Sequence, residues 1–205
     1  VYQIRQGVRW ALNPKSEASR LMAGREFTAD DVIFNLTRNI LTPGRRIYSN
    51  NPELRGAKIT KTGPREVTIK VPLDGLMTGL SRFSDSNVMY PPEVIAKYGN
   101  MDDWRNLVGT GPFMLTDYVA GSAVVLQRNP NYWQTDPIGP GKGNQLPYLE
   151  TVKFIGIPDL STRMAALRTA KIDMIDSLAL SEATQLRKEN KGLLETFAMS
   201  QQARA

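Results

Sequence analysis

Two pairs of adjacent carboxylates, Asp30–Asp31 and Asp102–Asp103, are the first candidates for chemistry in this 205-residue sequence. Two acidic side chains can act as general acid and general base only when both face one shared site. Adjacent residues on a helix point in different directions, so neither pair converges on a substrate. We therefore interpret these aspartates as helix-capping and solvated residues rather than as catalytic groups.

The sequence contains no histidine and no cysteine, and this excludes several kinds of catalytic and metal site. The chain offers no thiol nucleophile, no disulfide, no Cys/His zinc site and no Ser-His-Asp triad. Histidine is also the commonest general base near neutral pH. We expect a protein without catalysis, cofactor or metal, and a carboxylate-dependent hydrolase is the alternative.

A Gly-Thr-Gly-Pro sequence at residues 109–112 raises the question of phosphate binding. A phosphate-binding loop needs its glycines followed by a helix whose amino terminus faces the anion. Here the residues after Pro112 alternate like a strand, turn at residues 120–122 and return to Arg128. This pattern predicts a tight turn followed by a β-hairpin, so the nucleotide-binding interpretation fails.

The formal net charge of +6 and the pI of about 9.6 raise the question of nucleic-acid binding. A nucleic-acid-binding module groups its basic residues in a stripe with interleaved aromatics. Here the basic residues are scattered among acidic ones, and Arg45–Arg46 and Arg187–Lys188 are the tightest pairs. We expect a solvated basic surface and no nucleic-acid partner. A nucleic-acid-binding module is a third possible function, after a non-catalytic protein and a hydrolase, and its affinity for nucleic acid would fall steeply as the salt concentration rises.

The predicted elements of the first half mix strands and helices. Thr28 is a good N-cap with Asp31 three residues on, and Val32, Leu36 and Ile40 form an apolar stripe over a helix at residues 29–40. The other expected elements are a strand at 1–10 bent at Gly7, a loop at 13–24, two strands within 57–71 joined at residues 62–64, a short helix within 73–87 and a helix from Pro92.

From Leu149 onward the pattern changes to strand, helix, strand, helix, strand. The expected elements are a strand near 149–158, a helix at 162–169 capped by Asp159 or Ser161, a strand at 171–175, a helix from Ser181 to Asn190 and a strand at 193–199. This alternation predicts a mainly parallel sheet in the second half. We therefore expect two subdomains, residues 1–107 and 108–205.

Four segments, in this order, resemble the peptide-type family 5 extracellular solute-binding proteins of ABC importers: "VYQIRQGVRW", "GREFTADDVIFNLTRNI", "VGTGPFMLTDYVAGSAVVLQRNPNYW" and "LPYLETVKFIGIPDLSTRMAALRTAKIDMID". The group includes oligopeptide-, dipeptide- and nickel-binding proteins. The sequence departs from it at "ALNPKSEASRLMAGRE", which replaces a short His-Asp-Gly-type turn. The resemblance covers most of a first lobe, with the second lobe absent.

This resemblance implies an α/β fold, a periplasmic-binding-protein-like lobe with a mixed sheet and two subdomains. It implies capture of peptides, nickel chelates or similar small solutes outside the cytoplasmic membrane and delivery to permease subunits. Location would be periplasmic or on the extracellular face, with membrane association only through the partner or an N-terminal anchor outside this sequence. Exposed apolar surface meant for a closed cleft makes self-association of the fragment an expectation.

The candidate ligand-binding residues are Tyr48, Met89, Tyr90, Thr110 and Gly111. The resemblance places Tyr48 near a tyrosine that faces bound peptide, and packing on the helix end is the alternative. Met89 and Tyr90 could form an adaptable pocket wall or a core strand edge. Thr110 and Gly111 could offer backbone donors in the cleft or form only a turn between subdomains. The Asn-Pro-Asn-Tyr-Trp run at residues 129–133 is interpreted as a structural corner.

Overall fold

The computed structural model describes residues 1–85, 87–190 and 192. These residues belong to two compact units, Val1–Phe154 and Ile155–Ala205. The predicted subdomain boundary near residue 107 lies inside the first unit and stays a prediction. The mixture of helices and sheets agrees with the expected α/β lobe. No described helix combines the length and the apolar character that a membrane crossing requires.

The first sheet contains β1 (Tyr2–Gln3), β2 (Lys58–Gly63) and β3 (Glu66–Lys70) in the order β1-β3-β2, with antiparallel neighbours. The predicted hairpin of β2 and β3 is confirmed, and Ile59 faces Ile69 across it. The predicted strand over residues 1–10 is wrong in length. Gly7 has a φ of +80°, which ends the extended backbone, and pairing resumes only as an isolated bridge between Arg9 and Glu26.

Helix α1 (Glu17–Met22) lies where the sequence predicted a loop, and that prediction is wrong. The Ser16 hydroxyl accepts a hydrogen bond from the Ser19 N–H at 3.2 Å and so caps the helix. Ala18 and Met22 are buried, one turn apart. Two buried apolar positions are too few to reveal a helical period in the sequence, because the residues around them are polar.

Helix α2 (Ala29–Leu41) confirms the predicted helix with Thr28 at its N-cap. The Asp31 carboxylate accepts a hydrogen bond from the Thr28 N–H at 2.8 Å. Leu36 and Ile40 are buried on the face that contacts β2 and β3. The remaining helices of the first unit are α3 (Arg46–Asn50), α4 (Leu76–Asp85) and α5 (Pro92–Tyr98), with single 3₁₀ turns at Pro52–Leu54, Leu73–Gly75 and Trp104–Asn106.

The second sheet contains β4 (Phe113–Val119), β5 (Ala123–Arg128) and β6 (Thr151–Ile155) in the order β4-β5-β6. Strands β4 and β5 are antiparallel, and Phe113 faces Arg128. The predicted hairpin after the Gly-Thr-Gly-Pro turn is therefore confirmed. The Arg128 N–H donates to the Glu150 carbonyl at 2.8 Å, at the approach to β6.

The second unit contains α6 (Leu160–Arg168) and α7 (Leu180–Glu189). Asp159 caps α6, as expected, by accepting from the Thr162 N–H at 2.7 Å. Helix α7 begins earlier than predicted. Ala179 rather than Ser181 is its N-cap, and the Glu182 carboxylate accepts from the Ala179 N–H at 2.8 Å.

The predicted strand at residues 171–175 is wrong, because these residues form no ladder. Asp173 is a poor strand former, and the run is too short to compensate. The predicted strand at 193–199 lies outside the described residues. Without these two strands, the described part of the second half does not form the expected mainly parallel sheet.

Two apolar clusters fill the first unit. The first comprises Trp10, Ala18, Met22, Val94 and Val108, with Phe27, Met89, Tyr98 and Met101 packed around it. The second comprises Leu36, Ile40, Ile47, Leu54 and Ala57, between α2 and the first sheet. Burial of large aliphatic and aromatic side chains of this kind stabilises a fold by about 1.5–3 kcal/mol each. The first cluster packs α5 through Val94, and the second packs α2, whose Leu36 also lines the cavity described next.

Candidate functional site

The first unit contains an open cavity of about 370 Å³, here called the β1 cavity. Its wall is mainly apolar, with a few polar groups at Gln3, Arg5 and Thr110. The lining residues are Tyr2, Gln3, Ile4, Arg5, Val8, Phe27, Val32, Leu36, Ile69, Phe83, Met89, Thr110 and Trp133. A concave, mostly apolar surface with few polar groups is typical of small-molecule binding sites.

Two of the predicted site residues, Met89 and Thr110, line the β1 cavity. Met89 is half-buried and also packs against the cluster around Trp10. Its unbranched thioether can fill irregular space and adapt to a neighbour of variable shape. Thr110 lies two residues after the buried Val108, in the turn that precedes β4.

Tyr90 is not part of the cavity wall. Its N–H donates to Asn35 Oδ1 at 2.8 Å, and its carbonyl accepts from Asn35 Nδ2 at 2.9 Å. The Arg38 guanidinium carbon lies 5.4 Å from the centroid of the Tyr90 ring. Burial lowers the pKa of Arg38, and the nearby charge of Arg45 acts in the same direction. The Tyr90 ring therefore lies beside Arg38 of α2, and Tyr90 is not among the residues that line the cavity.

Gly111 also lies outside the β1 cavity. Its carbonyl accepts from Asn129 Nδ2 at 2.8 Å, and the Asn129 N–H donates to the Pro112 carbonyl at 2.8 Å. Asn129 is almost completely buried, so it joins the end of β5 to the turn before β4. This agrees with a structural corner at residues 129–133. A methyl group added at Gly111 would meet no heavy atom within 4 Å.

The sequence did not indicate that Trp133 would line the β1 cavity. It was assigned with its neighbours to a structural corner, but its ring lines the β1 cavity. The Arg5 guanidinium carbon lies 4.6 Å from the ring centroid, within range of a cation–π interaction. Arg5 and Trp133 both line the cavity, and no local sequence pattern indicates their contact, because they are far apart in the sequence.

Tyr48 lies on α3 and is half-buried, away from the β1 cavity. The Arg55 guanidinium carbon is 4.2 Å from its ring centroid, and Arg55 donates to the Tyr48 carbonyl at 2.9 and 3.1 Å. The structure thus brings Met89 and Thr110 together but leaves Tyr48, Tyr90 and Gly111 outside their cavity. Ligand binding by these five residues stays a prediction.

The paired carboxylates have structural partners, as expected. Arg25 binds the Asp31 carboxylate at 2.7 and 2.9 Å and the Glu93 carboxylate at 2.7 and 2.9 Å. The hydrogen bond from Arg25 lowers the pKa of Glu93, and the hydrogen bond to Asp31 raises the pKa of Arg25. Asp30 pairs instead with Lys61 at 2.7 Å.

The second pair is also structural. Asp103 accepts from the Arg105 N–H at 3.0 Å and so caps a 3₁₀ turn. This hydrogen bond lowers the pKa of Asp103. Within residues 1–85, 87–190 and 192, no group of three or more acidic side chains is arranged to hold a metal ion. Asp30, Asp31 and Asp103 thus serve in caps and ion pairs, and the described lining of the β1 cavity includes no acidic side chain.

The mixed helix-and-sheet fold resembles the lobes of solved periplasmic binding proteins. The family model of bacterial extracellular solute-binding proteins, family 5 Middle, matches residues 1–203, and the chain belongs to this family. The resemblance noted in the sequence is thereby confirmed over nearly the whole chain.

Individual relatives agree with this assignment. The chain is 24% identical over 184 residues to the oligopeptide-binding protein AppA of Bacillus subtilis, covering 86% of this chain and 32% of AppA. It is 29% identical over 151 residues to di/tripeptide-binding protein 2 of Pseudomonas aeruginosa, covering 66% and 27%. The chain spans about a third or less of the length of these curated relatives.

Solved structures show the same fold. The structure of AppA from Bacillus subtilis in complex with a nonapeptide matches with a TM-score of 0.66 and 24% identity, covering 92% of this chain and 34% of that one. The structure of DppA from Helicobacter pylori in complex with the peptide STSA matches with a TM-score of 0.64 and 24% identity, covering 91% and 36%.

Proposed function

We propose that this chain is part of the substrate-binding component of an ABC importer. The component captures a peptide or similar small solute and delivers it to permease subunits. The observation that carries the proposal is the family match over residues 1–203. The named relatives and solved structures, which include oligopeptide- and dipeptide-type binding proteins, support peptides as the solute class. Action takes place in the periplasm or on the extracellular face of the cytoplasmic membrane.

The β1 cavity supplies one apolar wall of the solute site in this proposal. Met89 and Thr110 contact the solute within the cavity, and Trp133 extends the same wall. In this proposal Tyr48, Tyr90 and Gly111 contact the solute outside the β1 cavity. Two-lobed binding proteins close around their ligand, and each lobe buries one of its faces. A chain that spans a third of its relatives therefore holds one wall of the site rather than the whole site.

A hydrolase is not favoured. Catalysis by carboxylates needs two groups free to face one substrate. Asp31 is bound on both oxygens by Arg25, and Asp30 is bound by Lys61. Asp103 is engaged by Arg105.

The test is native mass spectrometry of the full-length protein purified from its own cells, followed by calorimetry with a library of di- to pentapeptides. We expect a co-purified peptide or small solute and a saturable heat of binding for the matching class. Absence of both a bound solute and any peptide heat would overturn the proposal.

Gly111 allows a matched pair of variants. Gly111→Ala and Gly109→Ala each add a methyl group with no heavy atom of the chain closer than 3.9 Å, so both are expected to fold normally. If Gly111 borders the solute, its alanine variant alone weakens binding. Equal affinities for the two variants would remove Gly111 from the site.

A further inference from the structure

The wall of the β1 cavity depends on a segment without regular secondary structure. Residues 87–90, here called the wall segment, lie between α4 and α5 and form neither helix nor strand. Met89 is nevertheless placed in the cavity wall, while Val88 beside it is 64% exposed. A segment without a hydrogen-bonded ladder needs other contacts to hold one side chain in a fixed place.

Asn35, on α2, supplies these contacts. Its carboxamide accepts from the Tyr90 N–H at 2.8 Å and donates to the Tyr90 carbonyl at 2.9 Å. Both backbone groups of one residue are thus satisfied by one side chain, as a neighbouring strand would satisfy them. The same Nδ2 also donates to the Asp31 carbonyl at 2.8 Å, which fixes the amide relative to its own helix.

The next turn of α2 holds the other end of the wall segment. Asn39 Nδ2 donates to Asn87 Oδ1 at 3.0 Å, and Asn87 Nδ2 donates to the Arg82 carbonyl at 2.7 Å. Asn35 and Asn39 are four residues apart and therefore lie on one face of the helix. Met89 lies between the two residues that they bind.

Burial makes Asn35 an unusual choice at this position. It is completely buried, although asparagine is a weak helix former and a buried amide is costly unless it is hydrogen-bonded. A leucine would suit a buried helix position but could not bind the wall segment. Neither helix propensity nor core packing explains an asparagine at this position, whereas its hydrogen bonds to Tyr90 do.

We propose that Asn35 is a positioning residue that sets the place of Met89 in the wall of the β1 cavity. The inference rests on the proposed function, in which Met89 contacts the solute, and it deepens that function. By fixing the wall segment, Asn35 determines how large an apolar side chain of a peptide the cavity accepts. Asn35 acts through Tyr90 and Met89 and does not itself line the cavity.

The test measures the wall segment directly, without a solute, in the variants Asn35→Leu and Asn35→Asp. Asn35→Leu removes all three hydrogen bonds, and Asn35→Asp keeps an acceptor but loses the amide donors. Asn51→Leu is the matched control, because Asn51 is also nearly buried but bonds to Glu53 instead. The readouts are hydrogen exchange of the Tyr90 amide and the ¹³C-methyl NMR signal of Met89, assigned with Met89→Leu.

We expect the Tyr90 amide to exchange at least about tenfold faster in Asn35→Leu than in the wild type, because its acceptor is lost. The Met89 methyl signal should shift in both Asn35 variants, whereas that of Met164 in the second unit should not. Asn51→Leu should leave the Tyr90 amide and the Met89 methyl unchanged. If Asn35→Leu does not fold, Asn35→Asp carries the test through the Met89 methyl signal, because its carboxylate can still accept from the Tyr90 N–H but has lost the donor to the Tyr90 carbonyl.

Unchanged Tyr90 exchange and an unchanged Met89 signal in the folded Asn35 variants would overturn the proposal. Equal shifts of every methionine would also overturn it, since they would indicate a general loss of packing. These readouts need no bound peptide, so they decide the role of Asn35 even if the calorimetry finds no solute. Where a peptide binds, the Asn35 variants should weaken its affinity by about tenfold and lose that effect in a Met89→Ala background.

Discussion

Replacing Arg25 with methionine is expected to destabilise the first compact unit by about 3 kcal/mol. Arg25 bonds to both oxygens of the Asp31 carboxylate, whose side chain is 1% exposed. Removing one partner of a buried ion pair costs about 3–5 kcal/mol, because the other charge is left without its counterion. We expect the lower end of this range, because Asp31 keeps the hydrogen bond from the Thr28 N–H and Arg25 is one-third exposed.

The assay is urea unfolding followed by tryptophan fluorescence. All three tryptophans, Trp10, Trp104 and Trp133, lie within Val1–Phe154, so their emission reports the first unit alone. A loss of about 3 kcal/mol corresponds to a fall in Tm of about 6–12 °C for a unit of this size. Arg25→Lys, which keeps the charge but not the planar fork, should give an intermediate value.

Arg105→Met is the control, because Arg105 also pairs with an aspartate, but both side chains are about half-exposed or more. Solvent screens exposed pairs of this kind, so they contribute little to stability. If Arg25→Met lowers stability no more than Arg105→Met does, the Arg25–Asp31 pair does not stabilise the fold as the geometry indicates.

Four further outcomes are expected. The pKa of Glu93 is lowered by Arg25, so its contribution to stability is present above the ordinary glutamate range and is lost as pH falls through the lowered value. Glu93→Gln should therefore flatten the loss of stability below about pH 4, and an unchanged acid slope would contradict this. Thr28→Ala should cost about 1 kcal/mol in thermal unfolding through the loss of the N-cap, and a Tm equal to that of the wild type would count against the cap. Gly141→Ala should break the hydrogen bond between Tyr148 and Asp136, because the added carbon would lie 2.0 Å from the Tyr148 hydroxyl. An unchanged pH titration of Tyr148 in this variant would refute the prediction. The isolated 205-residue chain should bind peptides about a thousandfold more weakly than the full-length protein, a loss of about 4 kcal/mol in binding free energy. It should also self-associate in sedimentation experiments. Sub-micromolar peptide binding by a monomer would disprove the proposal that this chain holds only one wall of the site.

The elements that the sequence predicted correctly carry their signals locally. Helix α2 combines an N-cap, an apolar stripe of period four and a stop at Pro43–Gly44, all within one short stretch. The β4–β5 hairpin has alternation on both sides of a turn that contains Gly121. In each case the residues that determine the element are close neighbours in sequence, so the pattern was sufficient.

The parts of the candidate site that the sequence did not indicate depend on contacts between distant residues. Asn35 and Tyr90 are 55 positions apart, and no periodicity links a buried helix asparagine to a backbone it will bind. Arg5 and Trp133 are 128 positions apart in the sequence (133 − 5), yet their side chains are in contact. Met89 and Thr110 were chosen as candidate residues one by one, whereas their common cavity depends on segments from residue 2 to residue 133.

The order of strands in the first sheet has a consequence for the time course of folding. Strand β3 pairs with β2 across a turn of a few residues, but Tyr2 of β1 pairs with Val67, 65 positions away. Local pairings form faster than distant ones, so we expect the β2–β3 hairpin to exist before β1 docks on it. At a synthesis rate of about 5–20 residues per second, β1 emerges several seconds before its partner strand. Tyr2 and Ile4, which later line the β1 cavity, stay without their partner strand for that interval, so the cavity cannot form until β3, which supplies Ile69 to its wall, has been synthesised.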